Sequence, residues 1–301
     1  MESTQTRCGF VALIGAPNVG KSTLVNALVG AKVTIVSKKV QTTRALIRGL
    51  VVEDASQIIL VDTPGIFLPK RRLDRAMVTT AWGGAHDADL VCLLLDASRG
   101  IDQEAESIFA RMASLKHPKF LVINKVDTVR RDALLALAQR ANEKLAFEQT
   151  FMVAAISGDG VADLRTALAR AVPAGPFLYP ADQMSDAPMR HLAAEITREK
   201  IYRKLHQELP YQSTVETETY TERPDGSVRI EQTIFVERES QRKIVLGKGG
   251  ATIKAIGADA RKELTEIVGH PVHLFLFVKV RENWGDDPER YREMGLEFPR
   301  E

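Results

Sequence analysis

Between residues 10 and 172, short apolar runs alternate with longer stretches in which apolar positions recur every three or four residues. The runs at 10–14, 58–61, 90–95, 120–123 and 151–155 are continuous, as strands buried on both faces require. The stretches at 21–29, 72–82, 103–115, 131–145 and 161–171 carry the helical period. Strand and helix in alternation predict a mostly parallel sheet with helices on both faces. Residues 44–52 precede 58–61 with no helix between them, which predicts an extra antiparallel strand at one edge.

Pro173, Gly175, Pro176, Pro180 and Pro188 then punctuate a stretch without apolar period, which reads as a linker. Beyond it the pattern changes to a helix at 188–209 and two β-rich runs, 214–221 and 228–236, around the turn Pro224-Asp225-Gly226. A short helix at 240–246, a glycine loop, a helix at 251–268 and a strand at 272–280 complete the order α-β-β-α-α-β, a small α+β unit. The expected division is a first domain over 1–175, a linker over 176–188, a second domain over 189–281 and a polar, acidic tail over 282–301 that forms a loop or short helix.

A length of 301 residues suits two domains, and 45% hydrophobic residues supply a core for each. With a formal net charge of +2 and 27% charged residues, any nucleic-acid surface must be a local patch. Cys8 and Cys92 are too far apart for a metal or redox pair. No apolar stretch approaches the roughly 18 residues that span a bilayer, so a soluble cytoplasmic protein is expected.

The chemistry begins at Gly15-Ala16-Pro17-Asn18-Val19-Gly20-Lys21-Ser22, set between the first strand and first helix. A glycine-rich turn there gathers backbone N–H groups and a helix N-terminus around phosphate, with Lys21 beside the β- and γ-phosphates and Ser22 a Mg²⁺ ligand. Asn124-Lys125-Val126-Asp127 ends the strand at 120–123, where a carboxylate pairs with N1–H and N2 of guanine and rejects adenine. Asn124 and the Lys125 stem brace the loop and cover the base. Asp62-Thr63-Pro64-Gly65 ends another strand: Asp62 holds Mg²⁺ through water, and the Gly65 amide reaches the γ-phosphate. In Gln41-Thr42-Thr43-Arg44, Thr43 is the expected further Mg²⁺ ligand, with Thr42 the alternative. Ser157 and Gly158 follow the last strand of the sheet, where a backbone N–H reaches guanine O6. Lys21, Thr43, Asp62 and Gly65 form the expected catalytic set. Ile66 stands where Ras-like proteins carry a water-orienting glutamine, so slow intrinsic GTP hydrolysis is expected.

In the second domain, Gly247-Lys248-Gly249-Gly250 joins two helices as the G-x-x-G loop of KH domains does. Its glycines admit a nucleic-acid backbone, and Lys248, Lys254, Arg242 and Lys243 supply positive charge. Single-stranded RNA is the expected ligand.

Taken together, these motifs and their order closely resemble the Era family of bacterial ribosome-assembly GTPases, with Val236-Glu237-Arg238-Glu239 and Ile256-Gly257 similar to its KH signatures. The resemblance implies a Ras-like P-loop GTPase domain followed by a type II KH domain. It further implies binding to 16S rRNA near its 3′ end, a role in maturation of the 30S subunit, and peripheral attachment to the plasma membrane. A monomer is expected. It makes the aliphatic residue at 66 a family trait, and Asn18 resembles the P-loop asparagine with which related GTPases help hold K⁺. Two departures stand out: Ser157-Gly158 where Ser-Ala is usual, and Gly-Lys-Gly-Gly where Gly-Asn-Lys-Gly is common. The rival readings are a GTP-binding RNA chaperone that does not cycle and a tRNA-modifying GTPase. The latter is disfavoured by the KH unit and by the lack of a C-terminal catalytic cysteine.

Overall fold

The computed structural model describes residues 5–205, 209–282 and 287–299. Its contacts divide the chain into one unit of residues 1–34, 43–186 and 294–301 and another of 35–42 and 187–293.

The first unit is built on six strands in the order β2-β3-β1-β4-β5-β6: β1 (Arg7–Ile14), β2 (Ile47–Glu53), β3 (Ser56–Asp62), β4 (Leu90–Asp96), β5 (Lys119–Asn124) and β6 (Gln149–Val153). Only β2 runs antiparallel, against β3. The helices are α1 (Lys21–Val29), α2 (Arg72–His86), α3 (Gln103–Met112), α4 (Arg131–Lys144) and α5 (Val161–Ala171). Every residue of β3 and β4 is buried, as the unbroken apolar runs require of strands covered on both faces. α3 starts where the Asp102 carboxylate accepts the Ala105 N–H at 2.9 Å. Strands β3, β1 and β4 lie side by side although the chain visits them out of order. At such a crossover the strand ends open a crevice for ligands.

β6 ends two residues before the predicted strand at 151–155. The cause is polar: Asn124 Oδ1 takes the Ala155 N–H at 3.1 Å, and the Ala154 N–H bonds Asp159 O at 3.0 Å, so neither remains for the ladder. The stretch read as a linker does not hang free. Gln57 Nε2 donates to Tyr179 O at 2.8 Å, Leu50 N–H to Met184 O at 2.9 Å, and Arg48 pairs with Asp186 at 2.7 Å. Residues 176–186 thereby cover the edge of β2, which blunts an otherwise open strand.

The second unit has α6 (Met189–Lys204), β7 (Ser213–Glu222), β8 (Val228–Val236), α7 (Glu239–Leu246), α8 (Ala251–Val268), β9 (Val272–Val280) and α9 (Pro288–Glu293). Its sheet has the order β7-β8-β9, antiparallel then parallel. The predicted helix at 188–209 is observed to Lys204; residues 206–208 lie outside the described residues. Residues 35–42 belong to this unit although they lie far from it in sequence. Ile35 is fully buried against Leu192, Ala193 and Ile196. The Val36 N–H bonds Glu199 Oε1 at 2.9 Å, and Arg198 donates to Thr42 O.

Candidate functional site

The loop between β1 and α1 is held both by its neighbours and by its own lysine. Asn18 and Gly20 both have left-handed φ, 64° and 99°. Three successive carbonyls accept from residues at or just beyond the ends of β4 and β5: Pro17 from Arg99 Nη1 at 3.0 Å, Asn18 from Lys125 Nζ at 2.7 Å, and Val19 from Asn124 Nδ2 at 2.9 Å. Lys21 folds back to Gly15 O at 2.9 Å and Ala16 O at 3.0 Å. Burial pushes its ammonium down to about pKa 8, with Asp62 and Glu104 opposing the shift.

In the first turn of α1, Ser22 Oγ donates to Asp62 Oδ2 at 2.6 Å and lies 2.9 Å from Thr43 Oγ1. Thr43 Oγ1 reaches the same carboxylate oxygen at 3.3 Å, and Thr34 Oγ1 reaches it at 2.9 Å. The Thr42 hydroxyl instead donates to Lys39 O at 2.7 Å and meets Ser37 Oγ at 2.6 Å. Asp62 is fully buried, and its Oδ1 has no partner among the described residues. Burial raises its pKa against the hydroxyls and Lys21. An orphaned carboxylate oxygen beside a serine and a threonine hydroxyl is a set of hard oxygen donors that fits Mg²⁺. Thr34 has no place in any motif; nothing in its surroundings in the sequence marks it.

After Asp62, Thr63 Oγ1 bonds Leu13 O at 2.5 Å, and the Ile66 N–H bonds Gly15 O at 3.1 Å. Ile66 is core, only 5% exposed. Thr63 and Ile66 therefore fasten this turn to β1 and the P-loop. A Cβ on Gly65 would lie 2.9 Å from Pro17 Cα, so only glycine lets the two loops approach this closely.

At the end of β5, Asn124 accepts the Lys125 N–H at 2.8 Å, and Lys125 holds a left-handed φ of 63°. Val126–Thr128 form one 3₁₀ turn that leaves Asp127 exposed. The Gly158 N–H bonds Ala154 O at 2.9 Å and so is turned back into its own loop. Asp96 belongs to none of the sequence motifs. It ends β4, is 4% exposed, and accepts Lys125 Nζ at 2.6 Å. A carboxylate at the C-terminal end of a parallel strand was the available signal.

In the second unit, Gly247–Gly250 joins α7 to α8. Gly247 has φ 72°, and a Cβ there would collide with Thr252. Lys243, Lys248 and Lys254 are exposed around the loop, beside Ile244 at 55% exposure. Arg242 is committed elsewhere, to Val278 O at 3.3 Å and Glu239 at 2.9 Å. That weakens the expectation that it serves as a phosphate ligand.

A family profile described as 50S ribosome-binding GTPase matches residues 10–125, and a KH domain profile matches 208–285. The chain is 82% identical over 296 residues to GTPase Era of Afipia carboxidovorans, covering 98% of this chain and 96% of that one. It is 66% identical over 298 residues to GTPase Era of Brucella suis, covering 99% and 96%. Two crystal structures are similar with TM-scores of 0.90 at 36% identity, each covering 96% of this chain and 99% of the other. One is a variant of Aquifex aeolicus Era bound to GDP and AlF4⁻; the other is Era with MgGDPNP and nucleotides 1506–1542 of 16S ribosomal RNA.

Proposed function

The chain belongs to the Era family of GTPases, and from that premise we propose that it is a slow GTP-driven switch that binds 16S rRNA near its 3′ end and assists maturation of the 30S subunit. It binds GTP, GDP and Mg²⁺ and hydrolyses GTP to GDP and phosphate. In this reading the P-loop N–H groups and Lys21 hold the phosphates. Ser22 and Thr43 ligate Mg²⁺ directly and Asp62 holds it through water. Bound there, the ion neutralises charge on the phosphate oxygens. The Gly65 N–H senses the γ-phosphate, while Asn124, Lys125 and Asp127 take the guanine. Hydrolysis is slow because Ile66, buried and aliphatic, cannot orient water by hydrogen bonding. K⁺ beside Asn18 would add positive charge to the site; equal rates in KCl and NaCl would remove that part of the proposal.

RNA lies along the Gly247–Gly250 loop, with Lys248, Lys254 and Lys243 on its phosphates. The observation that carries the proposal is the convergence of Ser22, Thr43 and Asp62 below a P-loop in a chain that also carries an exposed G-x-x-G loop between two helices. Crosslinking to ribosomal RNA tests it, with a non-hydrolysable GTP analogue compared against GDP. Enrichment at the small-subunit 3′ end is expected, and its absence in both states overturns the RNA assignment. Cytoplasmic action, a monomeric state and peripheral membrane attachment belong to the same proposal. Among the described residues no helix is long and apolar enough to cross a membrane. Sedimentation and vesicle flotation test the last two.

A further inference from the structure

We infer that Asp96, the last residue of β4, and Arg99, on the turn between β4 and α3, are positioning residues for the phosphate-binding loop. A trans peptide is planar, so its N–H points away from its C=O. Fixing a carbonyl therefore aims the N–H of the following residue to the opposite side. The carbonyls of Pro17, Asn18 and Val19 are fixed in succession, by Arg99, Lys125 and Asn124. This turns the N–H groups of Asn18, Val19 and Gly20 away from those side chains, as an anion nest requires.

Two of the three anchors depend on the β4–α3 turn. The Arg99 guanidinium is itself pinned, its Nη2 lying 2.5 Å from Asp102 and 2.8 Å from Glu104, which leaves Nη1 aimed at Pro17 O. Lys125 is pinned by Asp96 Oδ2 at 2.6 Å, and Asp96 Oδ1 is held by the Ser98 N–H at 2.9 Å and Oγ at 2.6 Å. Burial works to raise the Asp96 pKa, but the bonds from Lys125 and Ser98 more than offset it and keep the carboxylate charged. A cation bridging a carbonyl and a fixed carboxylate has one position. Without the carboxylate, a lysine stem has several rotamers to explore.

The inference rests on the assignment of Gly15–Ser22 as the phosphate site, which Lys21→Ala tests separately. If K21A keeps its GDP affinity, that assignment fails; if only the variants below keep it, this inference alone fails. Affinities for GDP and GMP are measured by calorimetry on the full chain. Arg99→Met is expected to weaken GDP about tenfold, the scale of one charge-assisted hydrogen bond, while GMP, which lacks the β-phosphate, changes less than about twofold. Arg99→Lys, which keeps a donor, is expected to recover most of the loss. Asp96→Asn is expected to weaken GDP by a similar factor, and D96N/K125M to bind no more weakly than K125M alone. An unchanged GDP affinity in R99M overturns the inference, as do equal losses for GDP and GMP. If R99M does not fold, the D96N cycle decides, and additive losses there overturn it.

Discussion

The hydroxyl of Ser22 donates to Asp62 at 2.6 Å, joining the first turn of α1 to the C-terminal end of β3 across 40 positions of sequence. The bond engages Oδ2 only; the buried Oδ1 is without a partner among the described residues. A buried carboxylate half satisfied in this way carries a desolvation cost that a cation offsets. Asp62→Asn keeps the shape and removes the charge. The Mg²⁺-dependent part of GTP affinity is expected to fall by roughly ten- to a hundredfold, as for other outer partners of a metal. Affinity for GDP in EDTA should stay within about twofold. Titrations of wild type and variant with and without Mg²⁺ check this, and an equal loss in EDTA would count against a metal role.

Lys21 gives a pH signature. Burial holds its ammonium at about 8 against an ordinary value of 10.5. The folded, nucleotide-free protein therefore binds fewer protons than the unfolded chain between these values. Its stability contribution from Lys21 rises with pH across that window, and the cost is fully present below it. Polyphosphate beside the ammonium restores the proton. Nucleotide binding is expected to take up about half a proton at pH 8 and about a tenth at pH 7. Calorimetry in buffers of different ionisation enthalpy reads this directly; uptake that does not change between the two pH values contradicts it.

Gly65 is the contact between the turn after β3 and the P-loop. An alanine Cβ would stand 2.9 Å from Pro17 Cα and 3.0 Å from Pro17 N, both backbone atoms that cannot rotate aside. The turn must shift, and a displacement approaching 1 Å at a reacting centre costs up to about a hundredfold in rate. Gly65→Ala is expected to slow single-turnover GTP hydrolysis at least tenfold, with GDP affinity little changed. Loss of GDP affinity by the same factor would mean that the P-loop itself had collapsed.

Much of this was readable beforehand, for a physical reason. Strands such as β3 and β4 are covered on both faces, so their sequences are unbroken apolar runs, and the nucleotide motifs stand at the strand ends, where ligands bind. Ile35 was not readable. It stands among Val33, Val36 and Val40 in a stretch with no regular period, and its burial against α6 depends on pairing over more than 150 positions. Thr34 and Arg99 escaped for a related reason: each acts through one long-range bond, and a single polar residue leaves no spacing to detect, whereas Asp96 carried only its place at the end of β4. The docking of 176–186 along β2 and β3 joins backbone groups, such as the Leu50 N–H and Met184 O, to single side chains, Gln57 and Asp186, each more than 120 positions from its partner, so no local spacing announces it.

Lys248 offers the sharpest test of the RNA surface, because salt dependence separates charge from shape. The side chain is exposed on the loop between α7 and α8, and among the described residues no ion pair engages it. Its ammonium is therefore available to a phosphate, and binding there releases a condensed counterion. Lys248→Ala is expected to weaken single-stranded RNA and to flatten the slope of log affinity against log salt by about 0.7. Gly249→Ala acts differently. Among the described residues a Cβ there meets nothing within 4 Å, but the φ of 59° disfavours an L side chain, so affinity falls with the slope unchanged. Gly247→Ala adds a collision with Thr252 to a φ of 72° and should also lower the melting temperature. Affinities measured at several salt concentrations for the three variants tell these cases apart. A Lys248→Ala slope equal to wild type would remove the loop from the RNA contact.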